Sequence, residues 1–250
     1  MNIFVTGVSA GFGTAIARRF IKEGHNVIGA ARRVERLNEL KRDLGDNFFP
    51  LELDIRERDH VLSALSHLPE KFKQIDVLVN NAGLALGLEP AYAVDFNDWQ
   101  TMIDTNIIAL ASVTHAVLPN MVERKRGHVI NLGSVAGTYP YPGGNVYGAT
   151  KAFVKQFSLN LRADLAGTKV RVTDVEPGLC GTTEFSQVRF KGDNQKAAKI
   201  YDGANPLTAD DIAETVYWIA TLPAHMNVNR IELMPVSQSF NALHIEREAE

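Results

Sequence analysis

Two side chains near the middle of the chain, Tyr147 and Lys151, have the types and the spacing that proton transfer needs. Apolar residues recur four apart beyond them, at Phe153, Phe157, Leu161 and Leu165. This period predicts a helix, on which positions i and i+4 lie one above the other. An ammonium beside a phenol favours the phenolate and lowers a pKa that starts near about 10. Such a phenol can exchange a proton at neutral pH, although the same spacing also fits two unrelated surface side chains.

The composition excludes several classes of function. The chain has 250 residues, of which 45% are hydrophobic and 22% charged, as in an ordinary globular protein. Its net charge is −3 and it has no basic tract, so nucleic acid is not an expected partner. No run of about 18 apolar residues predicts a membrane span, and the start of the chain lacks the features of a signal peptide. The single cysteine, Cys180, cannot form an internal disulfide, and no Cys/His cluster predicts a metal site. We therefore expect a cytoplasmic protein.

Apolar strands alternate with amphipathic helices along the whole chain. Strands are predicted at Ile3–Thr6, Asn26–Ala30, Phe48–Leu53, Val77–Asn80, Val129–Leu132, Val170–Val175 and Arg230–Met234. Helices are predicted at Gly13–Glu23, Val34–Leu44, Glu57–Leu65, Trp99–Glu123, Val146–Ala166 and Asp210–Ala220. The order predicts a single α/β domain, residues 1–250, with a parallel sheet covered by helices on both faces. The polar segment Gly181–Asn205 has no clear period of apolar residues. So long an irregular stretch in a compact domain predicts a lid over the functional site, formed by residues 181–205.

A glycine-rich turn, Thr6–Gly13, follows the first predicted strand and opens the first helix. Glycines let a backbone turn tightly and approach a pyrophosphate, whose charge faces the helix N-terminus. This position favours a dinucleotide site over a plain tight turn. The candidate contacts are Gly7, Ser9, Ala10, Gly11, Phe12 and Gly13.

The end of the second strand indicates which dinucleotide binds. An acidic residue at that point would hold a ribose 2′-hydroxyl, but the chain has Arg32 and Arg33 there. Two guanidinium groups suit a 2′-phosphate through charge-assisted contacts, so we predict NADP(H). The alternative is that the two arginines only end a strand in solvent.

The other predicted strands also end in residues that fit a cofactor cleft. Because ligands of open α/β sheets lie at the carboxyl ends of the strands, these residues should converge on one crevice. They are Asp54 and Ile55 after the third strand, Asn81, Ala82 and Gly83 after the fourth, Ser134 after the fifth, and Pro177, Gly178 and Thr182 after the sixth. Asn106 lies inside a predicted helix, where its low propensity indicates a role.

Together these motifs resemble the short-chain dehydrogenase/reductase family, from Ile3 to about Asn241. The resemblance rests on the T-G-x-x-x-G-x-G of Thr6–Gly13, the N-N-A-G of Asn80–Gly83, Asn106, Ser134, the Y-x-x-x-K of Tyr147–Lys151 and Pro177-Gly178. It implies a Rossmann-type doubly wound sheet of about seven parallel strands. It also implies a homotetramer in which the helices Trp99–Glu123 and Val146–Ala166 pair between subunits.

The resemblance implies a role for each catalytic candidate. Tyr147 is the general acid or base on the substrate oxygen, which Ser134 positions by a hydrogen bond. Lys151 lowers the pKa of Tyr147 and holds the nicotinamide ribose. Asn106 anchors a water that relays protons to Lys151. Hydride moves between the nicotinamide and the substrate carbon, without a metal.

Three further runs resemble the bacterial NADP-dependent 3-hydroxy acid dehydrogenases within that family: Asn81–Gly87, Glu184–Asp193 and Met234–Ser239. The substrates that this implies are L-allo-threonine, L-serine and 3-hydroxypropionate or malonic semialdehyde, all with a carboxylate. Such a substrate needs a cation in the pocket. Arg189 in the lid is the first candidate and Lys191 the second, against the alternative of a solvated lid charge.

Three other functions stay open at the level of sequence. A carbonyl reductase acting on another ketone or aldehyde would share all the core motifs. An epimerase or dehydratase on a related fold would carry a shorter first glycine spacing than the three residues between Gly7 and Gly11. A non-catalytic NADP(H) sensor would have lost the acid/base pair that this chain keeps.

Overall fold

The computed structural model describes residues 1–181 and 183–240, in which seven parallel strands form one sheet. The strands are β1 (Asn2–Thr6), β2 (Asn26–Ala31), β3 (Phe48–Glu52), β4 (Val77–Asn80), β5 (Gly127–Leu132), β6 (Val170–Pro177) and β7 (Arg230–Leu233). Their order in the sheet is β3-β2-β1-β4-β5-β6-β7. The order reverses between β1 and β4, so the crevice for a ligand lies at the carboxyl ends of these two strands. The predicted doubly wound α/β sheet is confirmed.

Helices cover both faces of the sheet. They are α1 (Gly11–Lys22), α2 (Val34–Leu44), α3 (Arg58–Ser66), α4 (Phe96–Ile103), α5 (Leu110–Glu123), α6 (Asn145–Asp164), α7 (Phe185–Arg189), α8 (Asn194–Lys199) and α9 (Ala209–Thr221). Successive residues of a strand point to opposite faces, and β1 shows the result. Ile3 and Val5 pack under α1, α2 and α9, whereas Phe4 packs under α3, α5 and α6. Two apolar layers therefore hold the strand ends rigidly in place.

The helix predicted at Trp99–Glu123 begins three residues earlier and changes its winding in the middle. Asp95 caps it by accepting a hydrogen bond from the Asn97 backbone N–H at 2.9 Å. Between α4 and α5 the segment Asp104–Ala109 is a π-helix, which contains Asn106. Short π segments inside α-helices often occur at functional sites. Phe96–Glu123 could cross a membrane by the criteria of length and apolar composition alone, but one face of its C-terminal half, with Val113, Val117 and Met121, is buried in the core.

The segment Gly181–Asn205 is more ordered than its sequence pattern predicts. The expectation of an irregular segment is wrong, because it forms α7 and α8. Asp193 caps α8 by accepting a hydrogen bond from the Lys196 N–H at 3.0 Å. Each helix has at most six residues, fewer than two full turns, so neither produces a recognisable apolar period.

Candidate active site

A cavity of about 1450 Å³ opens at the carboxyl edge of the sheet. Its walls contain most of the side chains and backbone groups that the sequence singled out. These are Gly7, Ser9, Ala10, Gly11, Phe12, Arg32, Arg33, Asp54, Ile55, Asn81, Ala82, Gly83, Ser134, Tyr147, Lys151, Pro177, Gly178 and Arg189. Gly13 and Asn106 lie behind the wall, and Thr182 falls outside the described residues. The predicted convergence on one crevice is therefore present.

The glycine-rich turn is shaped by close backbone approaches. Gly7 has φ +73°, in the left-handed region that favours glycine. A Cβ at Gly13 would lie 2.3 Å from the Gly7 carbonyl oxygen, so Gly13 packs the helix start against the strand end rather than lining the cavity. Asn81 donates from Nδ2 to the carbonyl oxygens of Thr6 at 2.8 Å and Gly7 at 3.1 Å. The amide after β4 thus fixes the turn after β1.

Arg32 and Arg33 lie at the end of the cavity next to this turn. The Arg33 Nε donates to Ser9 Oγ at 3.1 Å, and its Nη1 lies 2.9 Å from Glu184 Oε2. Arg32 Nη1 is 3.9 Å from Asp54 Oδ2, and 64% of its side chain is exposed. The Arg33 guanidinium and the Ser9 hydroxyl therefore lie together, with Arg32 on the wall of the same cavity, and such donors suit the acceptor oxygens of a phosphate.

Tyr147 and Lys151 lie on α6 with both side chains buried. Lys151 Nζ lies 5.9 Å from the centre of the Tyr147 ring and donates to the Leu132 carbonyl at 2.6 Å. The Ser134 hydroxyl, at the start of the short turn Val135–Gly137, donates to the Pro177 carbonyl at 3.4 Å and lies near enough to Tyr147 to lower the pKa of its phenol. The acid/base candidate, the cation and the positioning hydroxyl are therefore neighbours, as the sequence predicted.

The expectation that the pKa of Tyr147 lies below its ordinary value is wrong for the chain alone. The pKa is raised, chiefly because burial disfavours the phenolate, and the nearby Ser134 hydroxyl and the Arg189 charge only partly oppose this. Burial also lowers the pKa of Lys151 to about 8. The phenol is therefore protonated at neutral pH and suited to give a proton to a carbonyl oxygen.

Asn106 is buried in the π segment and uses its amide for structure. Its Oδ1 accepts from the Leu84 N–H at 2.9 Å, and its Nδ2 donates to the Leu84 carbonyl at 2.8 Å and to Thr150 Oγ1 at 3.1 Å. A Cβ at Gly83 would lie 3.2 Å from Asn106 Oδ1, a tight contact, so the glycine lets the Asn106 amide approach this segment closely. Asn106 thus ties the segment after β4 to α6. Its role in a water relay stays a prediction.

The lid residue Arg189 is buried beside the catalytic pair. Its Cζ lies 5.6 Å from the centre of the Tyr147 ring, and its Nη2 donates to the Tyr141 hydroxyl at 2.8 Å. Its Nε donates to the Gly87 carbonyl at 3.1 Å, and within residues 1–181 and 183–240 no carboxylate forms a salt bridge with it. Lys191 is instead exposed and paired with Asp98 at 2.8 Å. Of these two lid residues, Arg189 alone lines the cavity.

A sequence model of the short chain dehydrogenase family matches residues 1–193, more than three quarters of the chain. The chain belongs to the short chain dehydrogenase family. The positions that carry the family pattern, from the glycine-rich turn to Tyr147 and Lys151, are the ones that line the cavity.

Individual members of the short chain dehydrogenase family match the chain over nearly its whole length. The NADP-dependent 3-hydroxy acid dehydrogenase of Salmonella typhi is 61% identical over 247 residues, which cover 99% of this chain and 100% of that protein. The serine 3-dehydrogenase of Agrobacterium fabrum is 55% identical, with 99% of both chains covered. A structure of the closed form of a serine dehydrogenase complexed with NADP⁺ superposes with a TM-score of 0.98 at 59% identity, covering 99% of this chain and 100% of that one.

The structure adds residues to this short chain dehydrogenase site that sequence reasoning missed. Tyr141 meets Arg189, Phe185 packs at 5.7 Å on the Tyr147 ring, and Glu184 pairs with Arg33. Tyr141 lies in a proline- and glycine-rich loop directly before α6, which is a signal that could have indicated it. Glu184 and Phe185 belong to the run Glu184–Asp193, but no local pattern gave either residue a role, because their partners are far away in sequence.

Proposed function

We propose that the chain is an NADP-dependent oxidoreductase that interconverts small 3-hydroxy acids and their 3-oxo forms, with L-allo-threonine, L-serine and 3-hydroxypropionate or malonic semialdehyde as the substrate class. The observation that carries this is Arg189, a buried guanidinium beside Tyr147 without a carboxylate partner in the part of the chain that the structure describes. A buried cation needs an anion, and a substrate carboxylate supplies one. The names of the similar proteins from Salmonella typhi and Agrobacterium fabrum support the same class.

Each residue of the site then has one task. Arg189 holds the carboxylate, Ser134 orients the substrate oxygen, and Tyr147 gives that oxygen a proton or takes one from it. Lys151 binds the nicotinamide ribose, and Arg32 and Arg33 hold the 2′-phosphate. When bound, NADP(H) supplies or accepts the hydride at the substrate carbon. The segment 181–205 acts as the lid, because α7 brings Arg189 onto the cavity.

The spacing of Arg189 and Tyr147 suits a short substrate. Arg189 Cζ is 5.6 Å from the Tyr147 ring centre, and the rings of Tyr147 and Phe185 are 5.7 Å apart. A 3-hydroxy acid has its hydroxyl and carboxylate separated by two carbon atoms, so Tyr147 and Arg189 can hold its two ends at the same time.

The proposed function is tested by incubating the protein with NADP⁺ and a panel of 3-hydroxy acids while following NADPH absorbance. We expect turnover with 3-hydroxy acids and at least about tenfold lower kcat/KM with the matched alcohols that lack the carboxylate, since a charge-assisted contact contributes about 1.5–3 kcal/mol. Equal rates with both series would indicate a carbonyl reductase of another substrate class. NADP⁺ binding without any turnover would indicate a sensor.

Replacing Arg32 and Arg33 together by Ala is expected to lower the preference for NADP⁺ over NAD⁺ by about 10²-fold or more, because the two lost charge-assisted contacts serve the 2′-phosphate. The ratio of kcat/KM for the two cofactors measures this. Arg18→Ala is the matched control, since that arginine is also paired on the surface but lies outside the cavity. An unchanged ratio in the double variant would mean that the phosphate is bound elsewhere.

The proposal includes a cytoplasmic homotetramer. The helix Phe96–Glu123 exposes Phe96, Ile103 and Ile108, at 67%, 37% and 55%, although each is a large apolar side chain. Pairing of this helix and α6 between subunits would remove these side chains from water. Light scattering after gel filtration measures the subunit number, and a monomer would contradict this part of the proposal.

A further inference from the structure

A buried carboxyl group that the proposed function does not use lies directly behind the active site. Asp174 on β6 is 0% exposed, in register with Asn131 on β5 and Arg230 on β7. Its two carboxyl oxygens accept no hydrogen bond from the residues that the structure describes. An unpaired buried carboxylate is costly, so Asp174 needs a compensating charge or a proton.

Two contacts place Asp174 next to Lys151. Lys151 Nζ donates to the Leu132 carbonyl at 2.6 Å. A Cβ built on the next residue, Gly133, would lie 2.4 Å from Asp174 Oδ1. The ammonium and the carboxyl group therefore meet the same peptide at the end of β5, and only a glycine leaves room for the carboxyl group there.

The charged groups around Asp174 come from three elements. On its own strand, Glu176 lies within hydrogen-bonding reach, and two carboxyl groups share such a bond only when one of them is protonated. On β7, Arg230 binds the Glu176 carboxylate at 2.6 and 2.7 Å. On α6, the positive charge of Lys151 acts on Asp174, and that of Lys155 acts on Glu176.

These neighbours determine how the groups titrate. Burial raises the pKa of Asp174, and Glu176 raises it further, while Lys151 and Arg230 oppose this. Burial alone would raise the pKa of Glu176, but the pairing of its carboxylate with Arg230 outweighs burial and lowers the pKa. Burial lowers the pKa of Lys151 to about 8, and the charge of Asp174 is what keeps it from falling further.

We propose that Asp174 is a positioning residue that keeps Lys151 charged, and so competent to hold the nicotinamide ribose, at pH values above neutrality. Glu176 and Arg230 determine the pH at which Asp174 carries its charge: Glu176 favours the protonated acid, whereas Arg230 favours the carboxylate. The inference rests on the assignment of the cavity to NADP(H) and not on the choice of substrate.

The test is the Kd of NADP⁺, measured calorimetrically with the full chain between pH 7 and pH 10. In the wild type we expect affinity to fall with a midpoint near the Lys151 pKa of about 8. In Asp174→Asn the carboxylate is lost, so the ammonium loses its proton more easily. The midpoint should move down by about one pH unit, the lower end of the effect of a neighbouring opposite charge.

Glu176→Gln should move the midpoint in the opposite direction. Without the Glu176 charge, and with Arg230 still present, Asp174 ionises at lower pH and holds the proton on Lys151 to higher pH. Opposite shifts in two isosteric variants cannot come from a general loss of stability. Glu232→Gln, an exposed acid on β7 directly opposite Glu176 in the sheet, is the matched control and should leave the midpoint unchanged.

Each result of these titrations supports or contradicts a specific part of the proposal. Midpoints that move down in Asp174→Asn and up in Glu176→Gln support the proposal. Altered melting temperatures with an unmoved midpoint would overturn it and leave Asp174 a structural residue. If Asp174→Asn does not fold, an unmoved midpoint in Glu176→Gln alone overturns it. Absence of NADP⁺ binding by the wild type at pH 7 would instead contradict the cofactor assignment.

Discussion

Tyr147→Phe is expected to lower kcat by about 10²- to 10⁴-fold, the range that a positioned general acid or base contributes. The change removes one hydroxyl and keeps the ring, which packs at 5.7 Å on Phe185, so the pocket keeps its shape. Since the pKa of Tyr147 is raised by burial, its phenol is the proton donor at neutral pH, and phenylalanine has no proton to give. Stopped-flow or steady-state rates of NADPH oxidation with malonic semialdehyde measure the loss.

Binding of NADP⁺ should change little in the same variant, because the glycine-rich turn and Arg33 are untouched. Calorimetric titration measures this affinity. A Kd for NADP⁺ within about threefold of the wild-type value would show that the variant has lost its proton donor while its cofactor cleft is intact. Tyr92→Phe deletes the same hydroxyl from a side chain that is 92% exposed and should leave kcat unchanged. Near-normal turnover in Tyr147→Phe would contradict the role assigned to the phenol.

Arg189→Ala is expected to lower kcat/KM for a 3-hydroxy acid by about 10- to 100-fold, mainly through a higher KM, because a charge-assisted hydrogen bond contributes about 1.5–3 kcal/mol. Arg189→Lys should recover part of the loss, since it restores the charge but not the planar pair of donors. Initial rates over a range of L-serine concentrations measure both constants. A value within about twofold of the wild type would refute a substrate-binding role.

Arg189 also supports the lid, so this prediction needs a control for structure. The Arg189 side chain donates to the Gly87 carbonyl and to Tyr141. Lys191→Ala removes a neighbouring lid cation that is paired with Asp98 and should change kcat/KM by less than about twofold. A matched alcohol without a carboxylate should react equally slowly with wild type and Arg189→Ala. If the variant also loses rate with that alcohol, the defect lies in the lid and not in anion binding.

The parts of the site that sequence reasoning predicted are those whose position follows from topology. Parallel strands end at one edge, so Asp54, Asn81, Ser134 and Gly178 had to meet once the alternation of strands and helices was recognised. The acid/base pair was predicted because four residues make one helical turn. In both cases a short local pattern determines a place in the fold.

The remainder depends on contacts that no local pattern encodes. Glu184 meets Arg33 from 151 positions along the chain, and the Asp174 carboxyl group fits against the end of β5 only because Gly133 has no side chain. The sign of the pKa shift of Tyr147 was predicted wrongly for a related reason. The proximity of Lys151 to Tyr147 follows from their spacing, whereas the burial that raises the pKa of Tyr147 is a property of the assembled site.

The π segment Asp104–Ala109 fixes the rotational phase between the two halves of its helix. A π-helical segment contains about one residue more than the α-helical turn that it replaces. Each residue of an α-helix rotates the chain by about 100° about the helix axis. Deleting one residue in this segment would restore ordinary winding but swing α4 by about 100° relative to α5. Met102, now buried against Tyr147, would then leave its pocket. The chain length of this segment is therefore constrained as strictly as its residue types.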